Sequence, residues 1–530
     1  MDSFCSLFFL VLFVPAATAL YGIAPRQVRP AILLGMSYLC FWLISGMLVI
    51  ALVAATLTTY LGGLALEVLL ARRKRACRAV DRSQRAFVKR RFQRYLRLTV
   101  AIASLGSLGI LIAVKYLPFF ARIASSLLEL VGIGGPLVPP QLGMPIGISF
   151  YTLQALSYLF DVMNARVPAE RNLMHLTLFL GFFPQLMEGP ICRYEQTSAQ
   201  LMAGSPLRLD NIELGAARIA WGAAKILIVA DRVNLFVKPV FTNPDAWGGT
   251  VIFVAAVLYT LQLYCDFSGT MDIVLGVGRI FNVQLPENFR QPFFARTASE
   301  FWERWHITLG MWLRDYVFYP VSLSAPVKHL ARVLRGRLGM RLGSVLSGGV
   351  ALLSVWTLNG LWHGAGWQYL FFGMYYFALI LGAGLAEPLF QRLRRRLGIN
   401  ADARAWHAFQ IARTCLIVVV GELFFRANGL RAGLAMFRSM VTGFSPAAFA
   451  DGSLLAPGMD IADFALVGIF VLLLLAVDIW RERGGHLPTG ATSHKPALAG
   501  AVTSALVLGI VIFGAYGAPY VPLDPIYAQF

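Results

Sequence analysis

Charge is scarce in this chain of 530 residues: only 14% are Asp, Glu, Lys or Arg, against roughly a quarter in an ordinary soluble domain. A sequence so poor in charge does not cover a set of soluble cores, and its 58% apolar content suits lipid instead. Acidic residues are the scarcer sign, 27 against 46 basic ones, for a formal net charge of +19. The basic residues fall mainly in short stretches between apolar runs, not along one soluble face. That pattern is one of membrane orientation and argues against a nucleic acid partner. Six cysteines are scattered with no CxxC pair, so neither a disulfide framework nor a zinc knuckle is expected. Gly-rich phosphate loops, a G-x-S-x-G elbow and an H-E-x-x-H helix are all missing, which removes the commonest nucleotide, serine-hydrolase and zinc-protease readings. No internal repeat or low-complexity tract is visible.

What the chain has is apolar runs of the length a membrane helix needs, about 20 residues. They predict an all-α, polytopic integral membrane protein with spans near 4–23, 31–48, 50–70, 98–118, 143–162, 173–190, 213–240, 249–281, 343–362, 366–386, 408–426, 461–480 and 497–517. The whole chain reads as one membrane domain, with N-terminal helices over 1–120, a core over 143–386 and C-terminal helices over 408–530. The first run lacks a basic n-region and is expected to be a retained helix rather than a signal peptide. Gly143-Met-Pro-Ile-Gly-Ile-Ser-Phe-Tyr and Phe183-Pro to Gly189-Pro190 carry helix breakers inside apolar runs. Such breaks are tolerated where backbone is buried in protein or lines a cavity, which points to re-entrant segments and a tunnel. The basic stretches Arg72–Arg97, Lys328–Arg341 and Arg392–Arg396 are expected as cytoplasmic loops. An outside N-terminus follows, with 408–426 crossing outward, 461–480 returning to a basic loop over Arg481–Lys495, and the C-terminus outside.

One segment is unlike a free lipid-spanning helix. Between Glu300 and Tyr316, Trp302, Trp305, Leu309 and Trp312 recur at helical spacing beside Glu303, Arg304, Arg314 and Asp315. An amphipathic helix at the interface is predicted there, and by itself it needs no chemistry. Of the seven histidines, His329, His407, His486 and His494 lie in or beside polar or basic stretches, and His175 begins an apolar run. His306, flanked by Trp305 in the amphipathic segment, and His363, in Asn359-Gly-Leu-Trp-His-Gly, stand apart. An ionisable group in such a place usually faces a cavity or a partner, although a hydrogen-bonded structural histidine accounts for either one. An imidazole suits removal of a hydroxyl proton during attack on a thioester, or brief carriage of the acyl group itself. Asn359, four residues before His363, shares its helix face and suits orienting the ring or holding an oxyanion. No metal site is expected, since the two histidines lie far apart in sequence with no compact carboxylate spacing.

A second polar cluster runs from Gln262 to Asp272 inside an apolar run. Ser268 with Asp272, and Gln262 with Asp266, share helix faces, as buried groups do that satisfy one another or line a wet passage. Structural helix-to-helix hydrogen bonding explains it equally well.

Together, Pro286-Glu-Asn-Phe-Arg-Gln-Pro292, Glu300-Phe-Trp-x-Arg-Trp-His306-Ile-Thr-Leu-x-x-Trp-Leu-Arg-Asp315 and Leu361-Trp-His363-Gly-Ala resemble the membrane-bound O-acyltransferase (MBOAT) family. Within it they are most similar to the bacterial branch of alginate and cellulose acetylation proteins and teichoic-acid D-alanyl transfer proteins. Pro145 to Tyr151, Ser157-Tyr158, Asp161, Gly189-Pro190, the Gln262–Asp272 cluster and the terminal Ile526 to Phe530 extend the likeness from about residue 145 to the end. The resemblance implies a helical ring around a tunnel, with a cytoplasmic donor entrance and an external acceptor funnel. It matches His363 to the principal catalytic histidine and His306 to the second; Asn359, which stands where a glycine is common in the family, and Trp362, Trp305, Asp266, Ser268, Asp272, Arg304 and Asp315 are expected as substrate-binding or supporting residues. No bound cofactor is implied. The expected donor is acetyl-CoA, and the expected acceptor an exported polysaccharide or a periplasmic partner acetyltransferase, all at a bacterial inner membrane. Pro320-Val-Ser-Leu-Ser-Ala-Pro stands where the alginate branch has a Leu-Gly-Gly-Asn-Arg-like stretch, which leaves the polymer open. D-alanyl transfer from a carrier-protein thioester is the alternative reaction, and a transporter or flippase with broken helices the alternative class.

Overall fold

The structure, a computed structural model, describes residues 6, 8–132, 143–186, 188–485 and 496–516. His486, His494, the terminal Ile526 to Phe530 match and the ends of the first and last expected spans lie outside the described residues. Among the described residues, seven helices are long and apolar enough to cross a membrane: Arg29–Arg78, Arg85–Leu130, Gly249–Ile280, Ala325–His363, Trp367–Arg396, Arg404–Arg426 and Ile461–Glu482. The only extended pairing among them is a single antiparallel bridge, Phe289 with Trp305. Backbone groups in lipid must be satisfied within the segment, and helices do that.

Two compact units emerge. The first draws on Met1–Gly215 and Val274–Pro286. In it, helices Val49–Arg78 and Arg85–Leu111 pack through small residues, so that a Cβ on Gly62 would overlap Ala103 and one on Gly106 would overlap Thr58. Close approach of this kind is how helices associate when no hydrophobic effect drives them together. Helix Ile148–Met163 starts at Gly147, whose φ of 68° a residue with a side chain rarely adopts, and is buried along nearly its whole length. Its burial takes in Gln154, Ser157 and Asp161, three polar residues that recur at helical spacing.

The second unit draws on Ala216–Ile273 and Glu287–Ile526 and holds both histidines of interest. Helices Ala325–His363 and Trp367–Arg396 form a hairpin joined by Gly364 to Gly366. The hairpin closes because Gly360 lies against the Tyr369 carbonyl and Gly373 against the Trp356 carbonyl, with no room for a Cβ at either position. Gly222 and Gly269 face each other's carbonyls in the same way, which brings Lys225 beside Ser268.

Several expected boundaries shift for identifiable reasons. The basic stretches are largely helical rather than loops: Val49–Arg78 carries its basic end past the apolar run, and the chain turns only over 79–84. Lys328–Arg341 lies in a helix interrupted at Gly339 (φ 80°, ψ 165°). Long basic side chains keep their heads in water while the backbone stays helical. The 173–190 run is two short helices, Leu173–Gly181 and Phe183–Leu186, and 213–240 is helix, π-turn and helix. The single amphipathic helix expected over 300–316 does not form.

Candidate functional site

The break in that helix falls at the histidine. Thr297 caps Ala298–Arg304 by accepting from the Glu300 amide at 3.1 Å. The chain then leaves the helix, with Trp305 extended and His306 left-handed at φ 48°, ψ 51°. This conformation costs a residue with a Cβ about 1–2 kcal/mol, and it persists only where the surroundings over-determine it. Here they do. The segment Asn288 to Arg290 runs antiparallel to the break, with the Arg290 amide donating to the Arg304 carbonyl at 2.9 Å and the Ile307 amide to the Asn288 carbonyl at 3.0 Å.

Asn288 also fixes the ring. Its Oδ1 accepts from the Thr308 amide and hydroxyl, each at 3.0 Å, and lies 3.3 Å from His306 Nδ1. A backbone N–H can only donate, so this atom is the acceptor and Nδ1 carries the proton. The neutral ring therefore presents its lone pair at Nε2. Burial drives the His306 pKa down from the ordinary 6.5 to about 3, so the ring is neutral at any physiological pH.

His363 ends helix Ala325–His363, where Gly364 turns extended, and is 5% exposed. Trp362 joins the two imidazoles: its ring centroid lies 5.5 Å from that of His306 and 4.9 Å from that of His363. Phe267 packs edge-on to His306 at 4.9 Å, and Phe425 to His363 at 5.0 Å. The result is one aromatic casing holding both histidines from different elements.

Beside it opens a cavity of about 570 Å³, with His306, Asn359, Trp302, Trp305 and Trp356 on its walls and the exposed Arg290 and Arg314 also lining it. His363 is not among its lining residues. The Asn359 Oδ1 is buried with no hydrogen-bond partner among the described residues, so in this structure it does not orient the His363 ring.

The other expected residues are elsewhere in the unit. Asp272 is paired with Lys225 at 2.6 Å and Arg218 at 3.0 Å; Arg218 also binds Glu287 at 2.6 Å, and Ser268 accepts from Lys225 at 2.8 Å. This network and Asn288 line one small polar cavity, and His306 is not among its lining residues. Asp266 is buried on the same helix. Arg304 is held in a two-toothed pair with Glu482, both contacts 2.9 Å, which locks the end of the capped helix before the turn. Asp315 pairs with Arg314 at 3.0 Å on the partly exposed rim. Reading the sequence missed Asn288, although it sits in the Pro286 to Pro292 motif. It also missed Arg218 and Lys225, whose signal was a basic residue within an apolar run opposite Asp272.

Comparison with known proteins bears on what such a site does. Residues 64–334 match the MBOAT, membrane-bound O-acyltransferase family. That match begins well before residue 145, where the motif likeness starts, and it includes His306 but ends short of His363. The probable alginate O-acetylase AlgI of Pseudomonas putida is 31% identical over 82% of this chain and 80% of its own length. The peptidoglycan O-acetyltransferase of Helicobacter pylori is 29% identical over 66% of this chain and 65% of its own. The teichoic acid D-alanyltransferase of Bacillus subtilis is 26% identical over 44% of this chain and 58% of its own.

Proposed function

Given that this chain belongs to the membrane-bound O-acyltransferase family and is a multi-pass membrane O-acyltransferase, we propose that it acetylates an exported polysaccharide, directly or through an extracytoplasmic acetyltransferase that receives the group. The observation that carries this reading is the aromatic casing that holds His306 and His363 around Trp362, beside a cavity large enough for a thioester arm. The two acetylating relatives are named for alginate and peptidoglycan, both polysaccharide-based polymers. D-alanyl transfer is favoured less, since that relative matches under half of the chain.

In the proposed reaction, acetyl-CoA enters from the cytoplasmic side of a bacterial inner membrane. His363 takes the proton of an acceptor hydroxyl while its oxygen attacks the thioester carbonyl. The C–S bond breaks as the C–O bond forms, and the imidazolium returns the proton to the departing thiolate. His306, neutral and presenting Nε2, supports by positioning the reactants, and the aromatic walls keep water from the thioester.

His363→Ala tests this directly. Expected is loss of acetyl transfer by at least about a hundredfold, the scale of a general base, at unchanged abundance in the membrane. A variant that still acetylates the polymer at the parental rate would sink the proposal, and a transporter without acyl chemistry would keep its flux.

A further inference from the structure

Asn288 holds the His306 ring through its Oδ1, and what holds Asn288 lies one residue earlier. Glu287 is paired with Arg218 by two parallel bonds, Nη1 to Oε1 and Nη2 to Oε2, each 2.6 Å. The arginine is buried, with 9% of its side chain exposed against 48% for the glutamate. Arg218 is itself fixed from behind, its Nε donating to Asp272 Oδ1 at 3.0 Å. Lys225 holds Asp272 at 2.6 Å and donates to Ser268 at 2.8 Å. Two cations thus meet two carboxylates. Three of these four charges stand on helices, and Glu287 alone stands on the extended segment that runs beside the His306 turn.

The other tie from Asn288 to this region is weaker. Its Nδ2 donates to Met271 Sδ at 3.3 Å, and a thioether is a weak acceptor. The bonds from Ile307 and Thr308 belong to the turn and move with it. A two-toothed arginine–carboxylate pair is roughly twice as strong per bond as a neutral contact and fixes direction as well as distance. Adjacent Cα atoms lie about 3.8 Å apart across a trans peptide, so a displaced Glu287 carries Asn288 with it. We infer that Arg218 and Glu287 are positioning residues for His306: their pair sets the place of Asn288, and through Asn288 the aim and tautomer of the imidazole. Neither residue lines the cavity beside His306, so their effect on the reaction runs through that ring and not through contact with a substrate. The inference rests on the reading of His306 as part of an acyl-transfer site.

The test uses purified full-length protein, with acetyl-CoA as donor and chemically deacetylated exported polymer as acceptor. The His306 tautomer is read by nitrogen-15 NMR of histidine-labelled protein, the His306 signals being those lost in His306→Asn. Glu287→Ala removes the anchor while Asp272 still pairs the buried guanidinium, so the fold should hold. Expected is a kcat about tenfold lower, the scale of one charge-assisted hydrogen bond, with KM for acetyl-CoA within about twofold of the parent value. The His306 spectrum should show a mixture of tautomers where the parent shows protonated Nδ1. Arg218→Lys keeps a cation beside Asp272 and loses the fork, and it should act in the same way. The double variant should lose no more than either single one, since both cut the same link. Parental kcat in whichever variant folds overturns the positioning role and leaves acyl transfer by His363 standing. A lowered kcat with the parental tautomer overturns it as well, because a merely structural pair would act so, and multiplicative losses in the double variant do the same. Absence of acetyl transfer in the parent protein would instead overturn the underlying reading.

Discussion

At the scale of single residues, the site depends on a histidine in a conformation that histidine does not prefer. His306 sits at positive φ because Asn288 binds the turn from three directions, through Thr308 N, Thr308 Oγ1 and His306 Nδ1. Asn288→Leu should therefore cost about 1–3 kcal/mol, the penalty of leaving buried donors unmet, and should lower kcat more than tenfold by freeing the ring and its tautomer. Chemical denaturation in detergent reads the first effect and steady-state assay the second; a variant with full stability and activity would remove Asn288 from the argument. The buried neutral ring has a further consequence for pH. Its pKa is near 3 folded and about 6.5 unfolded, so between those values the unfolded chain binds the extra proton. Stability then rises with pH across that window and is lost as pH falls from about 6.5 toward 3. His306→Asn carries no such proton and tolerates the left-handed region. Its melting temperature should fall less steeply than that of the parent protein between pH 7 and pH 4.5.

At the scale of elements, the position of His363 is set by a helix hairpin whose partners touch backbone to backbone. Gly360→Ala pushes a methyl group into the Tyr369 carbonyl, which should cost about 1–3 kcal/mol as overpacking does and displace His363 and Trp362 together. Gly382→Ala, on the partner helix with open space around it, gains helix propensity of about 0.5–1 kcal/mol and should leave activity intact. Melting temperatures and kcat of the pair check this, and equal behaviour of the two would show that the hairpin contact does not matter. Much at this scale was legible in the sequence: the apolar runs gave most of the long helices, and the glycines around His363 signalled close approach. What was not legible was the end of a helix at Trp305. Residues 300–316 keep a perfect helical stripe of tryptophans, and nothing local stops the helix. It stops because the distant Asn288 segment supplies hydrogen bonds that outcompete one helical turn, and tertiary contacts of that kind leave no periodicity to read. The charge pairs show the same limit. Asp272 was visible as a buried acid, but its partners Arg218 and Lys225 are identified only once Gly222 and Gly269 bring the helices together.

At the scale of the whole molecule, orientation decides which side supplies acyl groups. The turn over 79–84 is flanked by the basic ends of helices Val49–Arg78 and Arg85–Leu111, and the proposed orientation keeps it cytoplasmic because translocating basic flanks is unfavourable. Helix Arg404–Arg426 begins just after the basic end of Trp367–Arg396, and Ile461–Glu482 leads back to another basic stretch. In the proposed orientation, residues 427–460 lie outside, one crossing from the basic end of helix Trp367–Arg396. A cysteine placed at Ser83 should resist a membrane-impermeant maleimide in intact spheroplasts and react after permeabilisation, in a background lacking Cys77. A cysteine at Ala456, exposed in a turn, should react in intact spheroplasts. Reaction of both in intact cells, or protection of both, would break the assigned orientation. The proposed route would then fail as well, because donor and acceptor would no longer be on opposite sides of the histidines.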